Sequence, residues 1–318
     1  DYGTVFARTT YELNGAKAPN GNRDGETNLG DLITDALVWG AGKNGTKVDA
    51  AVTNGGGIRA TIKKGDITKK DINTVLPFGN TVAVIYVTGA ELLEALEAST
   101  YSLPVGGFPQ VAGINFTLST AVAYDANAET YPASTYYGPK SINRVVINSI
   151  NGKEFKANEV YAVVTNNFCA AGGDTYYAFK AASAQFDTGI PLDEAVMEYV
   201  TTELKGVIGA QYAAPQGRIL LNPFKDVKVS SWFGKYVIDL YNDGIINGTS
   251  ATTYAPNDTL TWAAALKLLL VSNGDLKAAD ATGADWSKNA IAKGIKAGDL
   301  VKNVCTICGG KGGGKPDS

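Results

Sequence analysis

The sequence predicts an α+β fold for its first and larger part, and three observations carry that expectation. Short runs rich in Val, Ile, Thr or Tyr occupy residues 48–53, 81–87, 144–150 and 160–165, each bounded by Gly, Asn or Lys. Amphipathic helical stretches lie among them without strict strand–helix alternation. Near Asn222-Pro223 the composition changes, and the downstream pattern is helical and repeated.

The helices can be justified in order. The first should begin at Thr27 or Asn28, place Leu29, Leu32, Ile33, Ala36 and Leu37 on one face, and stop at Gly40-Ala-Gly42. The second opens on Thr88-Gly-Ala-Glu91, a capping box, and continues through Leu92, Leu93, Ala95 and Leu96. The third runs from about Pro191, a favourable first helical residue, with Val196, Met197, Val200 and Leu204 inward. Together these elements assign residues 1–222 to one α+β domain, a mixed sheet with packed helices.

Beyond it, Asp226, Trp232, Val237 and Gly244 recur at a constant offset as Asp280, Trp286, Ile291 and Gly298. The first copy, residues 223–275, has a helix over 230–242 ended by Asp243-Gly244 and a turn-rich loop over 247–259. A second helix follows, capped by Thr261, with Ala265, Leu266, Leu269 and Leu270 inward. The second copy, residues 276–302, contains its first helix and stops before its second; residues 303–318 form a Gly/Lys-rich tail. Repeat units bury their faces against neighbours, so an unfinished unit leads to the expectation of a piece cut from a longer protein on both sides.

Composition narrows the chemistry. The chain carries a net charge of −3 with Lys and Arg scattered, which argues against a nucleic-acid partner. No apolar run approaches the roughly 18 residues of a membrane span. The first ten residues lack the basic-then-apolar layout of a secretion signal, so such a signal is absent from this chain or already removed. There is no histidine. That excludes a Ser-His-Asp triad, a Cys-His pair and imidazole metal ligands, leaving Asp, Glu, Lys, Tyr or a thiolate as any general base. Of the three cysteines, Cys169 lies in an apolar stretch and is expected to be a small buried hydrophobe. Cys305-Thr-Ile-Cys308 has the spacing of half a zinc site or of a redox pair, and no second pair or histidine exists to complete a zinc site.

Three segments carry candidate chemistry. Asn54-Gly-Gly-Gly-Ile-Arg59 follows the first strand: its glycines let backbone amides approach a ligand, and Arg59 can fork onto a phosphate or carboxylate. Val75-Leu-Pro-Phe78-Gly-Asn presents an aromatic ring from a turn, although a Phe more often ends in a core. Thr165-Asn-Asn-Phe168 leads through Gly172-Gly173 to Asp174, a carboxylate that taken alone caps backbone amides. Combined, two rings can sandwich a planar base, a carboxylate can accept from vicinal hydroxyls, and Arg can hold a phosphate. This is the inventory of a nucleotide site.

These segments, together with Arg23-Asp-Gly-Glu-Thr-Asn28-Leu-Gly30 and Pro215-Gln-Gly217-Arg218-Ile219, resemble the C-terminal, substrate-binding domain of the 5′-nucleotidase family over nearly all of residues 1–222. The resemblance implies that Phe78 and Phe168 stack the base, Asn54 hydrogen-bonds it, Asp174 takes the ribose hydroxyls, and Arg23 with Arg59 binds the phosphate nearest the ribose. In that family catalysis belongs to an N-terminal domain with two divalent metal ions. None of that domain's motifs occurs here, so this chain is expected to recognise nucleotides or nucleosides, to hold no metal, and to be inactive alone. The repeat resembles a surface-layer homology (SLH) module through Phe224-Lys-Asp-Val227, Trp232, Asn242-Asp-Gly244-Ile-Ile-Asn-Gly248 and Pro256-Asn257. Such modules attach extracellular proteins to bacterial cell-wall polysaccharide, using an Arg in a Thr-Arg-Ala-Glu motif. Here the positions are Thr261-Trp262-Ala263-Ala264, and this copy is expected to be a degenerate structural module. The leading expectation is the recognition half of a nucleotide-hydrolysing exoenzyme of a bacterial cell surface. A non-catalytic wall-anchored module for nucleotides or nucleotide sugars is the alternative, and a surface-layer component with a retired site is a third reading.

Overall fold

The computed structural model describes residues 2–43, 45–122, 143–274 and 276–277. The chain divides into two compact units, Asp1–Lys225 and Asp226–Ser318. The first unit opens with β1 (Val5–Thr9), α1 (Asn28–Lys43), β2 (Ala50–Asn54) and β3 (Gly65–Thr68). Next come α2 (Lys69–Val75), β4 (Thr81–Thr88), α3 (Gly89–Thr100), β5 (Pro109–Ala112) and β6 (Ile114–Ser119). It continues with β7 (Val145–Ile150), β8 (Val160–Asn166), α4 (Asn167–Ala170), β9 (Ala184–Pro191) and α5 (Leu192–Glu198). The strands β10 (Val207–Ile208) and β11 (Ile219–Asn222) complete it. All four expected strands are present, and the mixed sheets with packed helices make the unit α+β.

A five-stranded sheet, ordered β5-β2-β8-β4-β9, forms the centre. Only β2 and β8 pair in parallel in it, with Ala50 opposite Val163 and Ala51 opposite Val164. The alternation of side chains along a strand divides its residues between two cores. Ala51, Val84 and Val164 face a core built from α1 and α5, whereas Ala50, Val52, Ala83, Ile85 and Val163 face another that includes α3, β6 and β7. Near-continuous apolar runs in β4 and β8 follow from burial on both faces. The edge strand β9 is mostly exposed, carries a register shift against Thr81–Ala83, and ends at Gly189 (φ +70°) and Pro191.

Thr27 starts α1 as expected: its Oγ1 accepts the Gly30 N–H at 3.0 Å, and its carbonyl the Asp31 N–H at 2.9 Å. The helix runs past Gly40 and Gly42 to Lys43, because packing of its apolar face outweighs the glycine penalty of about 1 kcal/mol each. The Thr88–Glu91 capping box is formed. Pro191 precedes α5 as its cap and closes β9, so helical geometry begins one residue later than expected.

The end of the unit is tied to α1 by Arg218. Its guanidinium donates to both oxygens of Asp35 at 2.7 and 2.9 Å and to the Val111 carbonyl at 2.8 Å. Tyr212 donates to Asp35 as well, at 2.7 Å. Beside them Glu26 accepts the backbone N–H groups of Gln216 and Ile219, and fully buried Asp31 accepts that of Gln216 at 3.1 Å. Burial first, then repulsion from Glu26, pushes the Asp31 carboxyl up to about 8, against the opposing pull of Arg218.

A carboxyl whose value is raised on folding contributes stability that is fully present below its unfolded value of about 4 and is lost as pH rises through about 8. Asp31→Asn is therefore expected to lessen the loss of stability between those limits. Thermal unfolding of wild type and variant across pH 4 to 9 checks it; parallel pH profiles would show that Asp31 carries no such linkage.

In the second unit, α6 (Gly234–Asn242) begins later than the expected residue 230, since Phe233 is its cap, and α7 (Trp262–Ser272) is capped by Thr261. Both oxygens of Asp226 accept backbone N–H groups from the intervening loop, Tyr254 at 2.9 Å and Ala255 at 2.7 Å. The matching Asp280, Trp286, Ile291 and Gly298, and Cys305 and Cys308, lie outside the described residues.

Candidate functional site

Parallel pairing puts the carboxyl ends of β2 and β8 at the same end of the central sheet. The antiparallel partners bring the start of β4 (Val82 opposite Asn166) and the start of β5 (Pro109 opposite Asn54) to that end as well. Four loops therefore converge there, where open sheets commonly offer a crevice. Arg23, Asn54, Arg59, Phe78, Phe168 and Asp174 all line one cavity of about 570 Å³ at this place. Every site residue expected from the sequence is in it.

The two rings are not core residues. Phe78 is 59% exposed and Phe168 42%. Asn167 ties their loops together, its Oδ1 accepting the Thr81 N–H at 3.2 Å. Phe168 packs so closely on Gly173 that a Cβ there would stand 2.5 Å from the ring. The Arg59 guanidinium lies 5.6 Å from the Phe78 centroid, a cation–π distance, and its Nη1 donates to the Gly56 carbonyl at 3.2 Å.

Below the rings the site is buried and polar. Asn54 Nδ2 donates to Asp174 Oδ2 at 2.7 Å, so the Asp174 carboxylate holds a side-chain amide. Burial raises the Asp174 carboxyl; the Asn54 bond and the Arg23 charge act against that rise. Buried Cys169, whose thiol is pushed up to about 12 chiefly by burial, donates from Sγ to Asn54 Oδ1 at 3.4 Å. The thiol is un-ionised at neutral pH.

The glycine turn behaves differently from expectation. The Gly55 and Gly56 amides are bound at 2.7 Å to the carbonyls of Phe108 and Gly106, so they fasten the turn to the loop before β5. Gly55 is required by close approach: a Cβ there would lie 1.7 Å from the Asn22 carbonyl oxygen. The same loop fixes Arg23, whose carbonyl accepts the Val105 N–H at 2.9 Å. Arg23 lines the cavity, and its Nε is buried without a hydrogen-bond partner. Sequence reasoning missed the Val105–Gly107 lining and Asn80; the Gly106-Gly107 pair before an apolar strand is the signal that pointed to the former.

The second unit has a separate groove of about 360 Å³, lined by side chains that include Asn247, Tyr254, Asp258, Thr261 and Lys267. Among the described residues no helix is long and apolar enough to cross a membrane, and no cluster of three or more His, Cys, Asp or Glu side chains could hold a metal ion. The described residues do not supply the ligand set of a dimetal centre.

The fold is that of an α+β domain with one cavity at the end of its central sheet, followed along the chain by a small helical module. Residues 5–181 match the family model of the 5′-nucleotidase C-terminal domain, and residues 223–265 that of the S-layer homology domain. The chain belongs to the 5′-nucleotidase family through that C-terminal domain. It is similar to the trifunctional nucleotide phosphoesterase protein YfkN of Bacillus subtilis, 39% identical over 62% of this chain and 12% of that protein. Cell wall protein Lmo0130 of Listeria monocytogenes is 34% identical over 50% of this chain and 19% of that protein. The solved 5′-nucleotidase precursor of Thermus thermophilus superposes with a TM-score of 0.56 at 34% identity, covering 69% of this chain and 39% of that one. The chain thus spans well under half the length of each.

The contrast between exposed rings and buried amides has a measurable consequence. Phe78→Ala is expected to change stability by no more than about 0.5 kcal/mol. Asn54→Ala, which removes buried hydrogen bonds to Asn166 and takes one donor from the half-buried Asp174 carboxylate, should cost about 1–3 kcal/mol. Urea unfolding of both variants checks the difference.

Proposed function

We propose that this chain is the substrate-recognition part of a bacterial cell-surface nucleotide phosphohydrolase of the 5′-nucleotidase type. The observation that carries the reading is the gathering of two exposed rings, two arginines and a half-buried carboxylate around one cavity. Phe78 and Phe168 stack the base, and Asp174 accepts from the ribose hydroxyls. Arg23 and Arg59 bind the adjacent phosphate, and Asn54, with one N–H on Asp174, offers its second N–H to the base. Hydrolysis belongs to a domain carrying two divalent metal ions, outside the residues of this chain. The SLH match and the similarity to a protein named a cell wall protein support the location.

Stacking at about 1–3 kcal/mol per base, set against the cost of association, gives an expected affinity on the order of 0.1–10 mM for nucleoside monophosphates. Phe168→Ala should remove most of it, and no phosphate should be released with Mn²⁺ or Zn²⁺ added. Ligand-observed NMR with AMP, UMP and adenosine, beside a phosphate-release assay, tests both. Undiminished binding by Phe168→Ala would overturn the pocket assignment, and metal-dependent release would overturn the division of labour. A second reading, a non-catalytic wall-anchored nucleotide-binding module, draws on the same cavity and SLH match. An Asp-x-His and Gly-Asn-His-Asp pair upstream in the gene would decide for the enzyme.

Cell-wall polysaccharide is the proposed partner of SLH-type anchoring, with this copy degenerate at the Arg position. The chain should accordingly stay in the supernatant when mixed with purified sacculi. Co-sedimentation abolished by Lys267→Ala would instead give the groove's lysine the role of the missing cation.

A further inference from the structure

Asn166, the last residue of β8, lies behind the cavity and is 1% exposed. Its side chain makes three hydrogen bonds. Oδ1 accepts the Cys169 N–H at 2.8 Å and caps α4, while Nδ2 donates to Thr53 Oγ1 and to Asn54 Oδ1, both at 3.0 Å.

The order of these bonds matters, because an asparagine amide can be turned end for end with little change of shape, exchanging donor for acceptor. A backbone N–H can only donate. The Cys169 N–H therefore requires the oxygen of Asn166 to face it, which turns Asn166 Nδ2 toward Asn54. A donor at that place requires the oxygen of Asn54, where the Cys169 thiol adds a second donor. With its oxygen so placed, Asn54 must point Nδ2 at Asp174. In the reverse orientation Asn54 would set nitrogen against nitrogen on one side and oxygen against carboxylate on the other. Asp174 itself sits at φ +49°, a left-handed backbone uncommon outside glycine, with its carboxylate on the Asn54 amide.

We propose that Asn166 is a positioning residue for ribose recognition: it fixes the orientation of the Asn54 amide and, through it, the carboxylate of Asp174. The inference rests on the nucleotide reading of the cavity. Asn166 acts without touching the ligand, through the Asn54 amide alone: chiefly on the ribose contact of Asp174, and to a lesser extent on the N–H that Asn54 offers to the base. Base stacking on Phe78 and Phe168 and the phosphate contacts of Arg23 and Arg59 do not pass through it.

The test compares AMP with dAMP, measured by ligand-observed NMR on the full chain. Asn166→Ser keeps an oxygen for the α4 cap and removes the amide donor. Asn166→Asp keeps shape and cap but presents an acceptor to Asn54, favouring the reversed amide. Wild type should prefer AMP by about tenfold, the size of a hydrogen bond to a charged group. Both variants should reduce that preference to within about twofold by weakening AMP more than dAMP, in protein that still gives a cooperative thermal transition. Loss of both nucleotides in equal measure would show a merely structural role, and an unchanged preference in either folded variant would overturn the proposal outright. Should Asn166→Ser not fold, the near-isosteric Asn166→Asp carries the measurement. A wild type that binds neither nucleotide, or that loses nothing on Phe168→Ala, would instead sink the nucleotide reading and this proposal with it. A readout without ligand accompanies the titrations: the Asn54 side-chain amide protons should exchange with solvent faster in Asn166→Ser than in wild type.

Discussion

The parallel pairing of β2 with β8 is the constraint on which the rest of the first unit depends. Two strands far apart in sequence must run side by side in the same direction, and a parallel pair needs a covered crossover on each face. The helices α1 and α5 on one side, and α3 with β6 and β7 on the other, supply that cover. The pairing also sets the direction in which β2 and β8 both end. Asn54 and Asn166 become neighbours for that reason alone, and the loops carrying Phe168 and Asp174 arrive beside the glycine turn.

Closure of the unit is a separate matter, handled by charge. Arg218 reaches from just before β11 to Asp35 in α1 and to the carbonyl of Val111 in β5, joining three elements through one planar group. Glu26 and Asp31 hold the intervening backbone at Gln216 and Ile219. Three carboxyls around a single guanidinium carry an excess of negative charge, and protonation of buried Asp31 lessens it.

Much of this was legible in the sequence, and what was missed has identifiable physical causes. The four strands and three helices recognised in the first unit have uninterrupted apolar runs or explicit caps, so local pattern and tertiary burial agree. The strand β9 contains Asp187, Gly189 and Pro191, all signals for a loop; it is extended because β4 offers a ladder. The helix α2 has a capping box, Thr68 with Asp71, but only seven residues and little apolar periodicity. At the site, residue types sufficed to name Arg23, Asn54, Arg59, Phe78, Phe168 and Asp174, but not Asn80 or Val105, which line the same cavity. They could not say that the Gly55 and Gly56 amides fasten one loop to another, since that depends on a partner chosen by the antiparallel register of β5. Nor could they order the hydrogen bonds from Asn166 to Asp174, which is a property of orientation rather than composition.

The exposed edge strand β9 has a consequence of its own. An open strand edge is a template on which a second copy could continue the ladder, and the exposed ring of Phe186 would add adhesion to such a contact. The register shift opposite Thr81, the left-handed turn at Gly189 and the missing N–H of Pro191 each interrupt the row of donors and acceptors that a new strand would need. Asp187 sets a charge along the same edge. The sheet is thus built to stop at five strands, and the irregularities that hid β9 from sequence reading are what guard the protein against edge-to-edge aggregation.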